Sequence, residues 1–127
     1  MKVKKLHGMG NHLIIDASGC NRSKIGDTKL VKIFLKELIR RIDMKIIKGP
    51  IVLNYKSSEE RENGITGFAI LADSHVSIHT YPMKGFFSLD IFSCVEFDVK
   101  KIKEYINQTF DVKKIKEFLI KREYETC

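Results

Sequence analysis

The side chains of this 127-residue chain that could do chemistry crowd into Leu71–Cys94, which reads LADSHVSIHTYPMKGFFSLDIFSC. The segment holds a serine after an acid (Asp73-Ser74), two histidines (His75 and His79), a Pro-Gly turn and a cysteine, Cys94. Spacing sorts the chemistries these groups could serve. His75 and His79 at i, i+4 would chelate a metal from a helix. On a strand they stand roughly 13 Å apart at ~3.3 Å per residue, so no metal site is expected. A Ser/His/acid hydrolase needs a strained strand-to-helix elbow of the G-x-S-x-G kind, which Ala-Asp-Ser-His lacks. Cys94 with His79 could be a thiol nucleophile and its base, or equally a buried cysteine beside a strand histidine. The residues alone leave that choice open.

The elements that must position them follow from the pattern. Alternating VSIHT and continuous FFSLDIF predict strand, sharp turn at Asp73-Ser74, strand, turn at Tyr81–Gly85, strand. Such a meander can bring Ser74, His79 and Cys94 near one another. Upstream, Lys5–Ala17 reads as a first strand with His12, Ile14 and Asp16 on one face, and Leu13 and Ile15 on the other. Asp16 is then either a solvated strand end or a site carboxylate. Asp27 or Thr28 caps a helix to about Met44, whose apolar stripe is Val31, Phe34, Leu35, Leu38 and Ile42. Gly49-Pro50 separates it from a short strand, Ile51–Tyr55. A polar loop at Ser57–Gly64 and a strand at Ile65–Ala72 lead into the central segment. After Cys94 the chain repeats itself, FDVKKIKEYI at 97–106 and FDVKKIKEFL at 110–119. The first copy has helical spacing; the second fits a helix or an edge strand. The whole reads as one domain, an α+β two-layer sandwich with helices on one face of a mostly antiparallel sheet. The exposed sheet face or edge is a natural dimer surface.

Composition narrows the class. A hydrophobic share of 43% and a charged share of 31% are ordinary for a soluble globular protein. No uncharged apolar run approaches the ~20 residues that cross a bilayer, so no membrane partner is expected. Cys20, Cys94 and Cys127 form no CxxC pair and no disulfide framework, which points to a reducing cytoplasm. The net charge of +7 is spread along helix faces without a nucleic-acid motif, so it serves solubility and not nucleic-acid binding.

Taken in order, GITGFAILADSHVSIHTYPMKGFFSLDIFSC resembles the self-processing segment of prokaryotic S-adenosylmethionine decarboxylases. That pattern runs G-V-(S/T)-G, an apolar strand, E-S-H-(I/V)-S-I-H-T-W-P-E, G-Y and D-(V/L)-F-(T/S)-C. GNHLIIDASGCN likewise resembles the family's first strand, G-(K/R)-H-L followed by a carboxylate. The resemblance covers most of the chain and implies a precursor that cuts itself before Ser74. The Ser74 hydroxyl would attack the Asp73 carbonyl, loss of the Cα proton would expel the resulting ester, and hydrolysis would leave a pyruvoyl group. The products would be a β chain, 1–73, and an α chain, 74–127. The resemblance gives His79 and the Thr66 hydroxyl a part in processing. It makes the pyruvoyl carbonyl the cofactor that takes the substrate amine as a Schiff base, and Cys94 the proton donor after CO2 leaves. Asp16 matches the first-strand carboxylate, whereas His12 and Cys20 match positions to which no catalytic role is assigned. A cytoplasmic homodimer with sites near its interface, feeding spermidine and other polyamine synthesis, is the implied context.

The departures lie where substrate should bind. W-P-E reads Tyr81-Pro82-Met83, and a thioether accepts hydrogen bonds poorly where the family's carboxylate takes the ribose hydroxyls. Tyr81 still offers an aromatic face. The family's stacking Phe aligns with Glu60. S-adenosylmethionine is therefore the leading substrate. Arginine or ornithine paired with Glu60 is the alternative. A non-catalytic homologue supporting an active partner is the third reading.

Overall fold

The computed structural model describes residues 9–123, so Lys5–Gly8 of the expected first strand and Cys127 lie outside the described residues. The elements run β1 (Met9–Ser18), α1 (Arg22–Ile25), α2 (Thr28–Arg41), β2 (Ile46–Tyr55), β3 (Gly64–Leu71), β4 (His75–Tyr81), β5 (Phe86–Ser93), α3 (Val99–Phe110) and β6 (Lys114–Glu123). Two 3-10 turns, Glu60–Glu62 and Pro82–Lys84, flank β3 and β5. The six strands form one antiparallel sheet ordered β2-β3-β4-β5-β1-β6. The helices cover one face, giving the α+β sandwich that the pattern predicts.

Capping and apolar spacing explain the helices. Asp27 accepts from the N–H groups of Lys29 and Leu30 to start α2, and Val31, Phe34, Leu35, Leu38 and Ile39 turn inward. Asp98 does the same for α3 through Lys100 and Lys101, with Ile102, Tyr105, Ile106 and Phe110 buried. The two layers lock where Phe34 stacks on Tyr105 at 5.2 Å and meets Phe110 at 4.7 Å, while Phe110 lies edge-on to Phe87 of the sheet at 5.3 Å.

Three elements differ from the sequence-based expectation. Helix α2 stops at Arg41, because Ile42 leaves the helical conformation and Asp43 turns left-handed at φ 56°. Strand β2 starts at Ile46 and passes through Gly49-Pro50, with register shifts between Ile46 and Ile51 absorbing the proline. An edge strand has N–H groups to spare, and that is where a proline fits. The segment after Gly19 is a short helix, α1, capped by the Asn21 side chain on Lys24 N–H. The repeat also divides: the first copy forms α3, and the second ends that helix at Phe110 and becomes β6.

Candidate active site

The β3–β4 corner places the serine. Leu71 N–H donates to Ser74 O at 3.0 Å, closing a tight turn over Asp73, and Ser74 is left only 7% exposed. Pairing of β4 with β5 sets His75 opposite Phe92, so the chain leaving β5 runs past the corner. Cys94 consequently touches both sides of the Asp73–Ser74 junction. Its N–H donates to Ser74 Oγ at 3.1 Å, and its thiol lies 3.6 Å from Asp73 O as donor. The Ser74 hydroxyl is 3.4 Å from Asp73 Oδ1. Ser93, fully buried, holds the turn that aims Cys94. Its Oγ accepts from Val95 N–H at 3.0 Å and donates to Val95 O at 2.8 Å. A single serine between apolar residues gave no sequence signal for that role.

This arrangement has a definite chemical capacity. A hydroxyl adjoins the carbonyl it could attack, and a thiol hydrogen on the carbonyl oxygen can stabilise the negative charge that attack would place there. The residues present thus fit conversion of Ser74 into a pyruvoyl group. Among the described residues, no cluster of three or more His, Cys, Asp or Glu side chains is placed to hold a metal ion.

His79 is elsewhere. It lies five residues along from Ser74, roughly 16 Å at ~3.3 Å per residue, on the sheet face turned away from the helices. The expectation that one chain gathers Ser74, His79 and Cys94 is therefore corrected: Ser74 and Cys94 meet, and His79 joins a different group. The strand register aligns Leu53, Thr66, His79, Ser88, Asp16 and Lys116 in one row across all six strands. Within that row Thr66 Oγ1 is 3.2 Å from His79 Nδ1, and Ser88 Oγ donates to Asp16 Oδ1 at 3.2 Å. Ser88, which bridges the row between His79 and Asp16, is a second residue that the sequence pattern did not single out.

The remaining candidates line two adjoining hollows. Tyr81 shares an open cleft of about 410 Å³ with Tyr55, Glu62, Thr66 and His79. Glu60 and Met83 share a smaller hollow of about 200 Å³ with Asn54 and Asn63. Gly64 borders both, and a Cβ there would stand 1.7 Å from Thr80 O, so only glycine lets the strands meet at this point.

Two titratable groups nearby are shifted. Burial pushes the Cys20 thiol up to about 11, which keeps it protonated and distinguishes it from half-exposed Cys94. The His75 imidazole, stacked on Phe68 and tilted against Phe92, is held below its ordinary value by burial and then by the neighbouring His12.

Comparison with known proteins decides the family. The family model described as S-adenosylmethionine decarboxylase matches residues 11–123. The S-adenosylmethionine decarboxylase proenzyme of Clostridium botulinum strain Hall is 35% identical over 100 residues, covering 78% of this chain and 81% of the relative. That of Pyrococcus horikoshii is 32% identical over 118 residues, covering 92% of this chain and 81% of the relative. The chain belongs to the S-adenosylmethionine decarboxylase family. Its fold agrees with the crystal structure of the adenosylmethionine decarboxylase from Aquifex aeolicus VF5, with a TM-score of 0.71 and 24% identity over 97% of this chain and 94% of that one.

Family membership makes this an enzyme chain, since its relatives carry the name of a decarboxylase proenzyme. Among the described residues no helix is long and apolar enough to cross a membrane. The substitutions Met83 and Glu60 fall together in the smaller hollow, apart from the cleft that holds Tyr81 and the Thr66–His79 pair.

Proposed function

We propose that this protein is a self-cleaving, pyruvoyl-dependent S-adenosylmethionine decarboxylase. The observation that carries the reading is Cys94 bracketing the Asp73–Ser74 peptide, with its N–H on Ser74 Oγ and its thiol on Asp73 O. Ser74 Oγ attacks the Asp73 carbonyl carbon, and the acyl group passes from nitrogen to oxygen. Removal of the Ser74 Cα proton expels the Asp73 carboxylate and leaves a dehydroalanine. Addition of water and loss of ammonia then yield the pyruvoyl group. Once formed, that group supplies the electron sink into which the substrate's carboxylate bond breaks. Cys94 Sγ delivers the proton to the carbon that CO2 leaves. Asp16, beside Ser88 in the polar row, and Tyr81, in the large cleft, bind the substrate.

The polar row also supports a homodimer. His79 and its partner Thr66, to which the resemblance gives a part in processing, lie too far along β4 and β3 from Ser74 of the same copy. They share the outer face with exposed Ile51, Leu53, Phe68, Ile70, Phe118 and Ile120, an apolar surface of the kind that marks protein contacts. A second copy packed face to face and reversed along the strands brings its row to the first copy's Ser74. A reducing cytoplasm suits a free Cys94, and the product, a decarboxylated aminopropyl donor, suits polyamine synthesis.

CO2 release from S-adenosylmethionine, arginine and ornithine, measured in parallel with a Ser74→Ala control, tests the assignment. Release from S-adenosylmethionine that the control abolishes is expected. Release from arginine or ornithine alone would overturn the substrate.

A further inference from the structure

Lys84 contacts two residues of the large cleft, Glu62 and Tyr81, at once. Its Nζ donates to Glu62 Oε1 at 2.6 Å and stands 5.3 Å from the centre of the Tyr81 ring. Glu62 and Tyr81 both line the 410 Å³ cleft beside Thr66 and His79. The contact also ties together the two 3-10 turns, Glu60–Glu62 and Pro82–Lys84, that frame this part of the sheet.

We propose that Lys84 is a displaceable partner of two residues that line this cleft, and that the adenosyl group of the substrate exchanges with it on Tyr81 and Glu62. The proposal rests on the decarboxylase reading above and deepens it. Three physical arguments support the exchange. The Lys84 and Glu62 side chains are 35% and 46% exposed, and solvent-exposed ion pairs and cation–π contacts are weak, so releasing Lys84 costs little. The freed Glu62 carboxylate is an acceptor for ligand hydroxyls, which Met83 in the neighbouring hollow cannot supply with a thioether. S-adenosylmethionine, with a sulfonium and an ammonium against one carboxylate, is net positive, so a lysine left on Glu62 and Tyr81 would oppose it.

The consequence is opposite in sign for the two halves of one ion pair. Removing Lys84 clears the Tyr81 face and frees Glu62, so binding tightens. Removing the Glu62 charge takes away the acceptor, so binding weakens. A bridge that merely tied the two turns together would move both variants the same way or not at all.

The test is the dependence of CO2 release on S-adenosylmethionine concentration for wild type, Lys84→Met and Glu62→Gln. KM should fall about threefold or more in Lys84→Met and rise by about as much in Glu62→Gln, with kcat within about twofold, the pattern of a change in binding alone. Calorimetric titration of 5′-methylthioadenosine into the uncleaved Ser74→Ala protein, alone and with each substitution, gives the same order without turnover. Wild type that turns over S-adenosylmethionine while both variants keep its KM, or shift it together, overturns the exchange alone. Wild type inert on S-adenosylmethionine and unable to bind methylthioadenosine overturns the substrate reading, and the exchange with it.

Discussion

Replacing Cys94 separates the two reactions that its position serves. Cys94→Ala deletes the thiol that lies 3.6 Å from Asp73 O but keeps the N–H that holds Ser74 Oγ at 3.1 Å. Loss of a well-placed oxyanion donor slows acyl chemistry by roughly 10²–10³, but a thiol is a weak donor at long range, so cleavage should slow only about tenfold, ~1.4 kcal/mol in the barrier. Turnover loses its proton donor outright, a larger effect of about 10²–10⁴. Cys94→Ser keeps a donor for the carbonyl, so cleavage should run near the wild-type rate while turnover remains low. Cleavage is followed by intact mass during a cell-free synthesis chase, and turnover by CO2 release per cleaved chain. A Cys94→Ala protein with full turnover per cleaved chain would refute the proton-donor role. Cleavage at the wild-type rate would refute the part assigned to the thiol–carbonyl contact.

Two further perturbations test the assembly and the electrostatics. Phe68→Glu puts a charge on the exposed outer face without touching the core, and is expected to give a folded, monomeric, uncleaved chain by size exclusion, circular dichroism and mass; a cleaved monomer would show that one copy suffices. His75 is disfavoured as a cation by burial, and further by His12 and Arg122 against the opposing pull of Asp90. Its lowered folded value means that the unfolded chain binds a proton the folded chain resists, so this contribution is fully present above 6.5 and is lost as pH falls through the folded value. Urea unfolding should therefore show falling stability from about pH 7.5 to about pH 5.5, and His75→Phe, keeping a ring between Phe68 and Phe92, should flatten that slope. An unchanged slope would remove His75 as its source.

Much of the sheet was legible because its strands alternate cleanly. In β4, Val76, Ile78 and Thr80 are buried while His75, Ser77, His79 and Tyr81 face outward, as a period of two requires. The capped, striped helices were legible for the same reason. The repeat was not, since nearly identical decapeptides took different structures. Asp98 caps the start of α3, whereas Asp111, in the same place of the second copy, ends that helix in the left-handed conformation at φ 52° and binds Lys24 at 2.9 Å. Tertiary context decided between them: the second copy pairs with β1 from Lys114 onward. The Gly49-Pro50 step misled because proline reads as a break, yet an edge strand accommodates it through a register shift.

The site divided in the same way. Ser74 and Cys94 were brought together as the meander implied, because one turn and one register suffice. Sequence order could not reveal that Ser88 would link the row of His79 to Asp16. Such neighbours come from register across β1, β4 and β5, and a linear motif does not carry register.

The most direct measurement is the intact mass of the purified protein. Two chains, 1–73 and 74–127, the second without a free amino terminus, are what the account predicts, with Ser74→Ala remaining whole. A single uncut wild-type chain, folded and inert, would contradict it.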